Sequence, residues 1–207
     1  MYSVDELEDR LIDLAFAEDI GDGDHTTLCC IPEEAMGKSH LLIKEDGILA
    51  GVEVAKRVFA RFDPTMKVEV LMGDGTPVKK GDIAMVVTGK VRSLLQTERL
   101  MLNIMQRMSG IATMTNRYVK RLEGTKTHVL DTRKTTPGMR MLEKQAVKIG
   151  GGMNHRIGLF DMILLKDNHV DFAGGIKNAI TRCHEYLKEK NLDLKIELEV
   201  RNFDELN

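Results

Sequence analysis

Aromatic residues and cysteines are scarce in this chain of 207 residues. It has no tryptophan, three tyrosines and six phenylalanines, so few rings are available to stack against nucleic-acid bases. The cysteines, Cys29, Cys30 and Cys183, are odd in number and have no CxxC spacing, which argues against a disulfide framework and against a zinc site. We therefore expect reduced thiols, as in a cytoplasmic protein.

An excess of one charge and long apolar runs are also absent. The formal net charge is −2, which leaves no overall field to attract nucleic acid or an anionic membrane. No apolar run approaches the roughly 20 residues that cross a bilayer. The start of the chain is acidic and amphipathic, unlike a targeting peptide. The sequence therefore predicts a cytoplasmic protein that binds neither nucleic acid nor membrane.

The first part of the chain mixes strands and helices. A helix is predicted over 3–18, where Ser3 can cap and Glu6 follows three residues later. Apolar and polar residues then alternate between Lys38 and Gly89, which is typical of strands, with a helix predicted over 52–62. This pattern favours an α+β fold with mainly antiparallel strands.

The second part alternates strands with helices. After a helical stretch over 92–123, which Ser109 and Gly110 are expected to break, three strands are predicted at 127–131, 160–166 and 193–200. Helices are predicted over 137–149 and 173–189, with another beginning after 201. Such regular alternation indicates a parallel sheet, as a barrel or a doubly wound fold. We place the boundary near residue 110, giving domains 1–110 and 111–207.

Charged residues gather where the predicted parallel strands end. Residues 130–170 contain seven Lys or Arg and four Asp or Glu, a positive excess in a slightly acidic chain. The carboxyl ends of parallel strands are where such folds place ligands. Loop residues are polar by default, but repeated basic residues at successive strand ends need a further reason. Arginine and lysine converging on one site imply an anionic ligand.

Other residues near these ends have two interpretations. Glu197 and Glu199 point to one face of a strand that should be buried, so we expect one of them to be functional. His155 lies in a glycine-rich loop and favours a ligand contact, while His169 could equally be a cap or satisfy a loop carbonyl. The glycines at 150–152 lack the following Lys-Ser/Thr of a phosphate loop and indicate a helix end. Methionines between 101 and 114 are expected in the core.

Four segments together resemble the quinolinate phosphoribosyltransferase family, the decarboxylating nicotinate-nucleotide pyrophosphorylases of NAD biosynthesis. They are TERLMLNIMQRMSGIAT from residue 97, DTRKTTPGMR from 131, GGGMNHRIGLFDMILLKDNHV from 150 and IELEV from 196. GDGDHTT at 21–27 fits as well, with His25 where the family more often has an apolar residue. The resemblance implies an N-terminal open-faced α/β sandwich followed by the start of a parallel α/β barrel.

The resemblance also implies a reaction. Family members transfer phosphoribose from phosphoribosyl pyrophosphate to quinolinate with loss of the 2-carboxylate, giving nicotinate mononucleotide, CO2 and pyrophosphate, with Mg²⁺ as cofactor. The protein is expected to be a homodimer, or a higher oligomer built from dimers.

By similarity, specific residues take specific roles in that reaction. The quinolinate carboxylates would be held by Arg133, His155, Arg156 and Lys166. Arg99 would reach in from the neighbouring subunit, and Lys134, with Thr132 nearby, would contact phosphoribosyl pyrophosphate. Glu199 would line the ribose and magnesium side, indirectly toward the metal. The residues expected to be catalytic are Lys134, Lys166 and Glu199.

Other interpretations remain at this point. A paralogue of molybdenum transport operons shares the fold, but the combination of Arg99, Arg133, Arg156 and Lys166 favours quinolinate. The segment GDGTPVKKGDIAMVVTG resembles a lipoyl or biotinyl carrier hairpin without the motif that presents the modified lysine. Family members continue through further barrel strands, and three βα units cannot close a barrel of eight. We therefore expect one of three alternatives: a fragment of a longer protein, a damaged relative, or a non-catalytic form that still binds quinolinate.

Overall fold

The computed structural model describes residues 3–206 and has a mixed α/β fold, as predicted. The chain divides into two compact units, Met1–Asn154 and His155–Asn207, called here the first and second unit. The predicted domain boundary at residue 110 lies inside a long helix and stays a prediction.

The first unit opens with two helices, α1 (Val4–Ile20) and α2 (His25–Cys30). The predicted capping of α1 is confirmed, because the Ser3 hydroxyl accepts from the Glu6 amide at 3.1 Å and the Glu6 carboxylate accepts from the Ser3 amide at 2.6 Å. Asp24 caps α2 by accepting from the Thr27 amide at 3.0 Å. Cys29, Cys30 and Cys183 are free thiols, as expected.

Antiparallel strands make up both sheets of the first unit, which confirms the prediction for this part. The larger sheet has the order β1 (Met36–Leu42), β5 (Ile83–Lys90), β3 (Lys67–Val70). The smaller sheet pairs β2 (Gly47–Ile48) with β4 (Pro77–Val78).

Helix α3 (Val52–Phe62) has the bounds that the sequence predicted. Its preceding residue, Gly51, has φ +96° and no side chain, so Asp74 supplies the cap by accepting from the Val52 amide at 2.9 Å. Helix α3 therefore begins where a residue 22 positions away provides the missing acceptor.

Helix α4 (Val91–Arg121) is continuous, so the predicted break at Ser109 and Gly110 is wrong. The Ser109 hydroxyl donates to the Ala50 carbonyl at 3.1 Å and accepts from the Ala50 amide at 3.0 Å. Thr113, one turn later, accepts from the Ile48 amide at 2.8 Å. The hydroxyls of Ser109 and Thr113 therefore bind the backbone of the segment at β2, and helix α4 continues without a break.

The apolar core of the first unit lies between α3, α4 and the sheets. Residues fully shielded from solvent include Val58, Met85 and Met108. Met101, Met105 and Met108 pack into this core as predicted, whereas Met114 is half exposed and does not. One large core thus holds the helix that leads into the site region.

Charged residues of α1 fasten this helix to α3 and α5 (Arg140–Ile149). Arg57 donates to Asp9 at 2.6 Å and to Asp5 at 2.8 Å, and these hydrogen bonds raise the pKa of its guanidinium. Glu8 is buried and accepts a hydrogen bond from Gln145 of α5. Burial raises the pKa of Glu8, although Arg57 and Gln145 oppose that shift.

Two predicted elements before residue 154 are shorter than expected. The strand predicted at 127–131 is a single parallel bridge between Leu130 and Met153. Helix α5 begins at Arg140 and not at Pro137, because Gly138 has φ +80° and the Met139 amide closes a turn onto the Thr136 carbonyl at 3.0 Å.

The second unit is a small parallel α/β arrangement. Strand β6 (Ile163–Leu165) pairs in parallel with β7 (Ile196–Leu198), and both are shorter than predicted. The connecting chain forms α6 (Asp167–Ala173) and α7 (Ile176–Lys190), separated by Gly174 and Gly175 at φ +82° and +112°. A last helix, α8, covers Phe203–Leu206. The predicted alternation of strands and helices is confirmed in this unit.

Candidate active site

The loop that follows the Leu130 bridge carries Asp131, Thr132, Arg133 and Lys134 in the first unit. The Lys134 amide donates to the Thr132 hydroxyl at 3.0 Å, which closes a tight local turn. Helix α5 contributes Arg140, whose guanidinium donates to the Thr135 hydroxyl at 3.1 Å and to the Arg133 carbonyl at 3.3 Å. The predicted phosphoribosyl pyrophosphate residues and Arg133 therefore share one loop, called here the clamp loop (residues 131–136).

The start of the clamp loop is held by a buried ion pair. The Lys144 ammonium of α5 donates to the Asp131 carboxylate, and the two side chains are 3% and 7% exposed. With its amide nitrogen oriented toward Asp131, Asn154 donates to Oδ2 at 2.8 Å and to the Lys144 carbonyl at 2.9 Å. The Asp131 amide donates to the Met153 carbonyl at 3.2 Å. Asp131 is thus fixed on both its backbone and its carboxylate.

The end of the clamp loop is held by Glu143. Its carboxylate accepts from Arg107 of α4 at 2.6 and 3.0 Å and from the Thr136 amide at 3.2 Å. Arg107 also donates to the Thr136 hydroxyl at 2.8 Å. Burial by itself would raise the pKa of Glu143, but the hydrogen bonds from Arg107 and Thr136 outweigh it, so this pKa lies below its usual value. Glu143 therefore carries its negative charge at neutral pH.

Arg133 differs from its neighbours in lacking a complete set of partners. Its Nε is buried and has no hydrogen-bond partner among residues 3–206. A buried guanidinium donor without an acceptor is costly, and such atoms concentrate where a ligand binds. Arg133 is therefore the residue of the clamp loop whose geometry best fits an incoming carboxylate.

Two basic residues, His155 and Arg156, open the second unit. His155 Nε2 lies 2.8 Å from the Glu197 carboxylate of β7. Arg156 is buried and donates to the Met162 carbonyl at 3.3 Å. Asp161 holds the turn between them and β6 by accepting from the Ile157 and Gly158 amides, both at 2.8 Å. Strand β7, the partner of β6, thus supplies a carboxylate that contacts His155.

Lys166 follows directly after β6. Its ammonium lies 3.3 Å from the Glu199 carboxylate, and its amide donates to His169 Nδ1 at 3.0 Å. His169 therefore satisfies backbone at the start of α6, which is the structural alternative that the sequence left open. Lys166, Glu197 and Glu199 lie on the two paired strands or directly after them, and His155 reaches them from the preceding loop through Glu197.

The expectation that Glu197 and Glu199 lie on a buried face is wrong in this structure. Their side chains are 51% and 63% exposed. Among residues 155–206 the sheet has two strands, and the face that carries both glutamates stays open to solvent. Each glutamate instead pairs with a predicted site residue of its own unit, His155 or Lys166.

Arg99 lies on α4 in the first unit, with its side chain exposed. It stands eight residues before Arg107, which is about 12 Å along the helix axis. Arg99 therefore lies well before the point at which α4 contacts the clamp loop through Arg107.

Sequence reasoning missed several residues that hold the site. Glu143 and Lys144 are buried next to the apolar Leu142 and Ala146 on α5, and Arg107 of α4 donates to Glu143. The signal was present as two charged residues in the apolar stretch LEKQAV, since such residues are rarely buried unless paired.

In the part of the chain that the structure describes, no group of three or more His, Cys, Asp or Glu side chains could hold a metal ion. No helix there has the length and apolarity to cross a bilayer.

Family models match both parts of the chain. The model described as "Quinolinate phosphoribosyl transferase, N-terminal domain" matches residues 24–109, and its C-terminal counterpart matches 111–207. The first match includes the hairpin that resembled a carrier domain, so the carrier interpretation is not supported.

Curated relatives and solved structures extend this likeness. A chloroplastic nicotinate-nucleotide pyrophosphorylase of Arabidopsis thaliana is 47% identical over 197 residues, covering 95% of this chain and 56% of that protein. A probable nicotinate-nucleotide pyrophosphorylase of Synechocystis is 42% identical over 190 residues, covering 92% of this chain and 63% of that protein. The chain thus spans little more than half of such relatives.

The crystal structure of NadC from Streptococcus pyogenes superimposes with a TM-score of 0.89 at 38% identity, covering 99% of this chain and 71% of that one. The pyrophosphorylase structure from Francisella tularensis gives 0.88 at 40% identity and covers 71% of that chain.

Proposed function

This chain belongs to the quinolinate phosphoribosyltransferase family, and from that premise we propose that the protein transfers phosphoribose from phosphoribosyl pyrophosphate to quinolinate with decarboxylation. The bond that forms joins the quinolinate ring nitrogen to C1 of ribose, and the bond that breaks there releases pyrophosphate. The 2-carboxylate then leaves as CO2, its bonding electron pair stays on the ring carbon, and a proton replaces it. The product is nicotinate mononucleotide.

The observation that carries this proposal is the buried, unpartnered Nε of Arg133. Quinolinate is a dianion, and taking it out of water requires several cationic hydrogen-bond donors. Arg133, His155, Arg156 and Lys166 are those donors in this proposal. A guanidinium with an unsatisfied donor gains a full hydrogen bond when a carboxylate arrives, because it gives up no protein partner.

The phosphoribosyl side of the reaction is assigned to other residues. Lys134 and Thr132 contact phosphoribosyl pyrophosphate, since a lysine point charge suits phosphate. The carboxylate of Glu199 faces the ribose, where positive charge develops as pyrophosphate departs. Lys166 lies near the 2-carboxylate and favours the carbanion-like state that decarboxylation leaves. Holding the two substrates side by side turns a two-body encounter into an oriented reaction.

Mg²⁺ belongs to the proposal as a partner of the phosphates. The exposed carboxylate of Glu199 fits a cation that arrives bound to phosphoribosyl pyrophosphate. This mode is usual for Mg²⁺, which keeps several waters and binds substrate phosphates with one or two carboxylates. Glu199 is the residue that would face it, indirectly.

We propose a homodimer, or a higher oligomer built from it, in which Arg99 completes the partner's site. The exposed position of Arg99 on α4, about 12 Å along the helix from the contact with the clamp loop, supports a role outside its own loop. The cytoplasm is the proposed compartment. Sedimentation of wild type and of Arg99→Ala tests the oligomeric state, and cell fractionation tests the compartment.

Calorimetric titration of quinolinate and nicotinate into this chain tests the function. The folded state is first verified by circular dichroism. We expect quinolinate to bind more tightly than nicotinate, and Arg133→Ala to weaken quinolinate by about 100-fold, the size of a lost charged donor pair. Arg121→Ala, an exposed arginine at the end of α4, is the matched control and should bind like wild type. A folded chain that binds nicotinate as tightly as quinolinate contradicts the assignment.

A further inference from the structure

Two adjacent charged residues of α5, Glu143 and Lys144, are buried and reach opposite ends of the clamp loop. We infer that they are positioning residues that hold the clamp loop so that Arg133 is oriented before quinolinate arrives. This inference rests on the proposed function, although the hold on the loop can be measured without any ligand. The pair is called here the loop bracket.

The geometry of an α-helix explains how two adjacent residues can reach both ends of the clamp loop. Successive side chains project about 100° apart, so adjacent residues point in clearly different directions. Lys144 points to the loop start at Asp131, and Glu143 points to the loop end at Thr136. The distance between the loop ends is therefore set by one turn of a rigid helix, which itself packs into the core through Leu142 and Ala146.

Each end of the loop is held through more than one group. At the start, Asn154 also binds the Asp131 carboxylate, and the Asp131 backbone is bonded to Met153. At the end, Arg107 binds both Glu143 and the Thr136 hydroxyl. Both anchors are charge-assisted hydrogen bonds, which are about twice as strong as neutral ones.

The chemistry of the anchors points to positioning and not to stability alone. Buried ion pairs recover little more than their desolvation cost, and apolar residues of similar volume often give equal or greater stability. Ionic anchors are directional, however, and an apolar contact would not define where the Thr136 amide lies. A loop fixed in this way spares the ligand the cost of ordering it, which raises affinity. It also leaves the Arg133 Nε without a partner of its own.

The experiment compares wild type with Lys144→Met and Glu143→Gln, and uses Lys148→Met as the matched control. Lys148 is an exposed lysine on the same helix. Two quantities are measured on the full chain: amide hydrogen exchange at residues 131–136 without ligand, and the affinities for quinolinate and nicotinate by calorimetry. Melting temperature and circular dichroism report folding, and Glu143→Gln, which is nearly isosteric, serves if Lys144→Met does not fold.

We expect both bracket variants to exchange the Thr136 and Lys134 amides at least about tenfold faster, since each loses a charge-assisted anchor. Quinolinate affinity should fall by about tenfold or more, with a smaller loss for nicotinate, because the second carboxylate needs a pre-placed Arg133. Lys148→Met should match wild type in both measurements, and Lys144→Arg should restore most of the quinolinate affinity.

Two results would overturn the loop bracket. One is unchanged exchange at 131–136 in folded bracket variants. The other is faster exchange with unchanged quinolinate affinity, which would leave Glu143 and Lys144 a structural role only. A wild-type chain that binds no quinolinate overturns the proposed function instead, and the ligand-free exchange data then decide by themselves whether the bracket holds the loop.

Discussion

The two units hold their cationic residues in different ways. In the first unit, the charged groups that anchor the clamp loop pair with one another; Asp131, Lys144 and Glu143 are buried and Arg107 is half exposed, while Arg133 keeps an unpartnered donor. In the second unit, His155 and Lys166 pair with Glu197 and Glu199 of the neighbouring strand, and both glutamates are exposed. The first arrangement leaves an arginine donor without a partner, and the second pairs each basic side chain with a carboxylate of its own unit.

This difference has an energetic consequence for a dianion. Exposed ion pairs contribute between zero and about 1 kcal/mol, so a carboxylate ligand can displace Glu197 or Glu199 at little cost. The buried pair of Asp131 with Lys144 is expensive to break from one side, because the remaining charge stays desolvated. The charged pairs around the clamp loop are therefore fixed, whereas the pairs of the second unit can be exchanged at little cost.

The two units also differ in the size of their apolar cores. The main apolar cluster lies entirely in the first unit. The buried apolar residues of the second unit are Leu165, Val170 and Ala179, whereas Phe172 and Phe203 are 90% and 81% exposed. A rigid support for the clamp loop is thus available in the first unit.

The largest expected effect separates the buried from the exposed lysine pair. Lys144→Met should lower the free energy of unfolding by about 3–5 kcal/mol, because the lysine cation beside the buried Asp131 carboxylate is removed. Lys166→Met should change it by less than about 1 kcal/mol, since its pair with Glu199 is exposed. Urea denaturation measures both. Adding Asp131→Asn to Lys144→Met should recover much of the loss, and equal small losses for the two lysines would contradict the comparison.

A second test compares the two cores with the same substitution. Val58→Ala in the first unit should cost about 2 kcal/mol, and Val170→Ala in the second about 1 kcal/mol, because a small core relaxes around a lost methyl pair more easily. Both valines are buried, so solvent exposure does not confuse the comparison. Hydrogen exchange of peptides from each unit measures the loss of stability at Val58 and at Val170 separately. A larger loss at Val170 would show that the second unit is the better packed one.

The smallest expected effect concerns Glu197, the carboxylate that contacts His155. Glu197→Gln should strengthen quinolinate binding by about two- to fivefold, because the His155 side chain no longer has to leave an exposed carboxylate. Glu185→Gln, an exposed glutamate on α7, is the matched control and should leave affinity unchanged. Calorimetry measures both variants. Weaker binding in Glu197→Gln would mean that Glu197 orients His155 for the ligand and does not compete with it.

Particular elements show how far the sequence could be interpreted. The bounds of α3, the capping of α1 and the antiparallel strands followed from local periodicity and local hydrogen-bonding residues. The cluster DTRKTT was recognisable because positive charge collected where a strand should end. The break at Ser109 was predicted wrongly, since the sequence does not show that the Ala50 backbone bonds to its hydroxyl.

The sequence by itself determined the mixed α/β fold, the order of its elements and the stretch in which the cationic residues collect, because these depend on side-chain periods and on neighbours in the chain. Only the tertiary structure decided which charges meet. The pairs of Asp131 with Lys144 and of Arg107 with Glu143 join residues 13 and 36 positions apart. Only three-dimensional packing brings such groups together. Burial strengthens the pair of Asp131 with Lys144 and shields Glu143, while Glu197 and Glu199 stay weakly held in solvent.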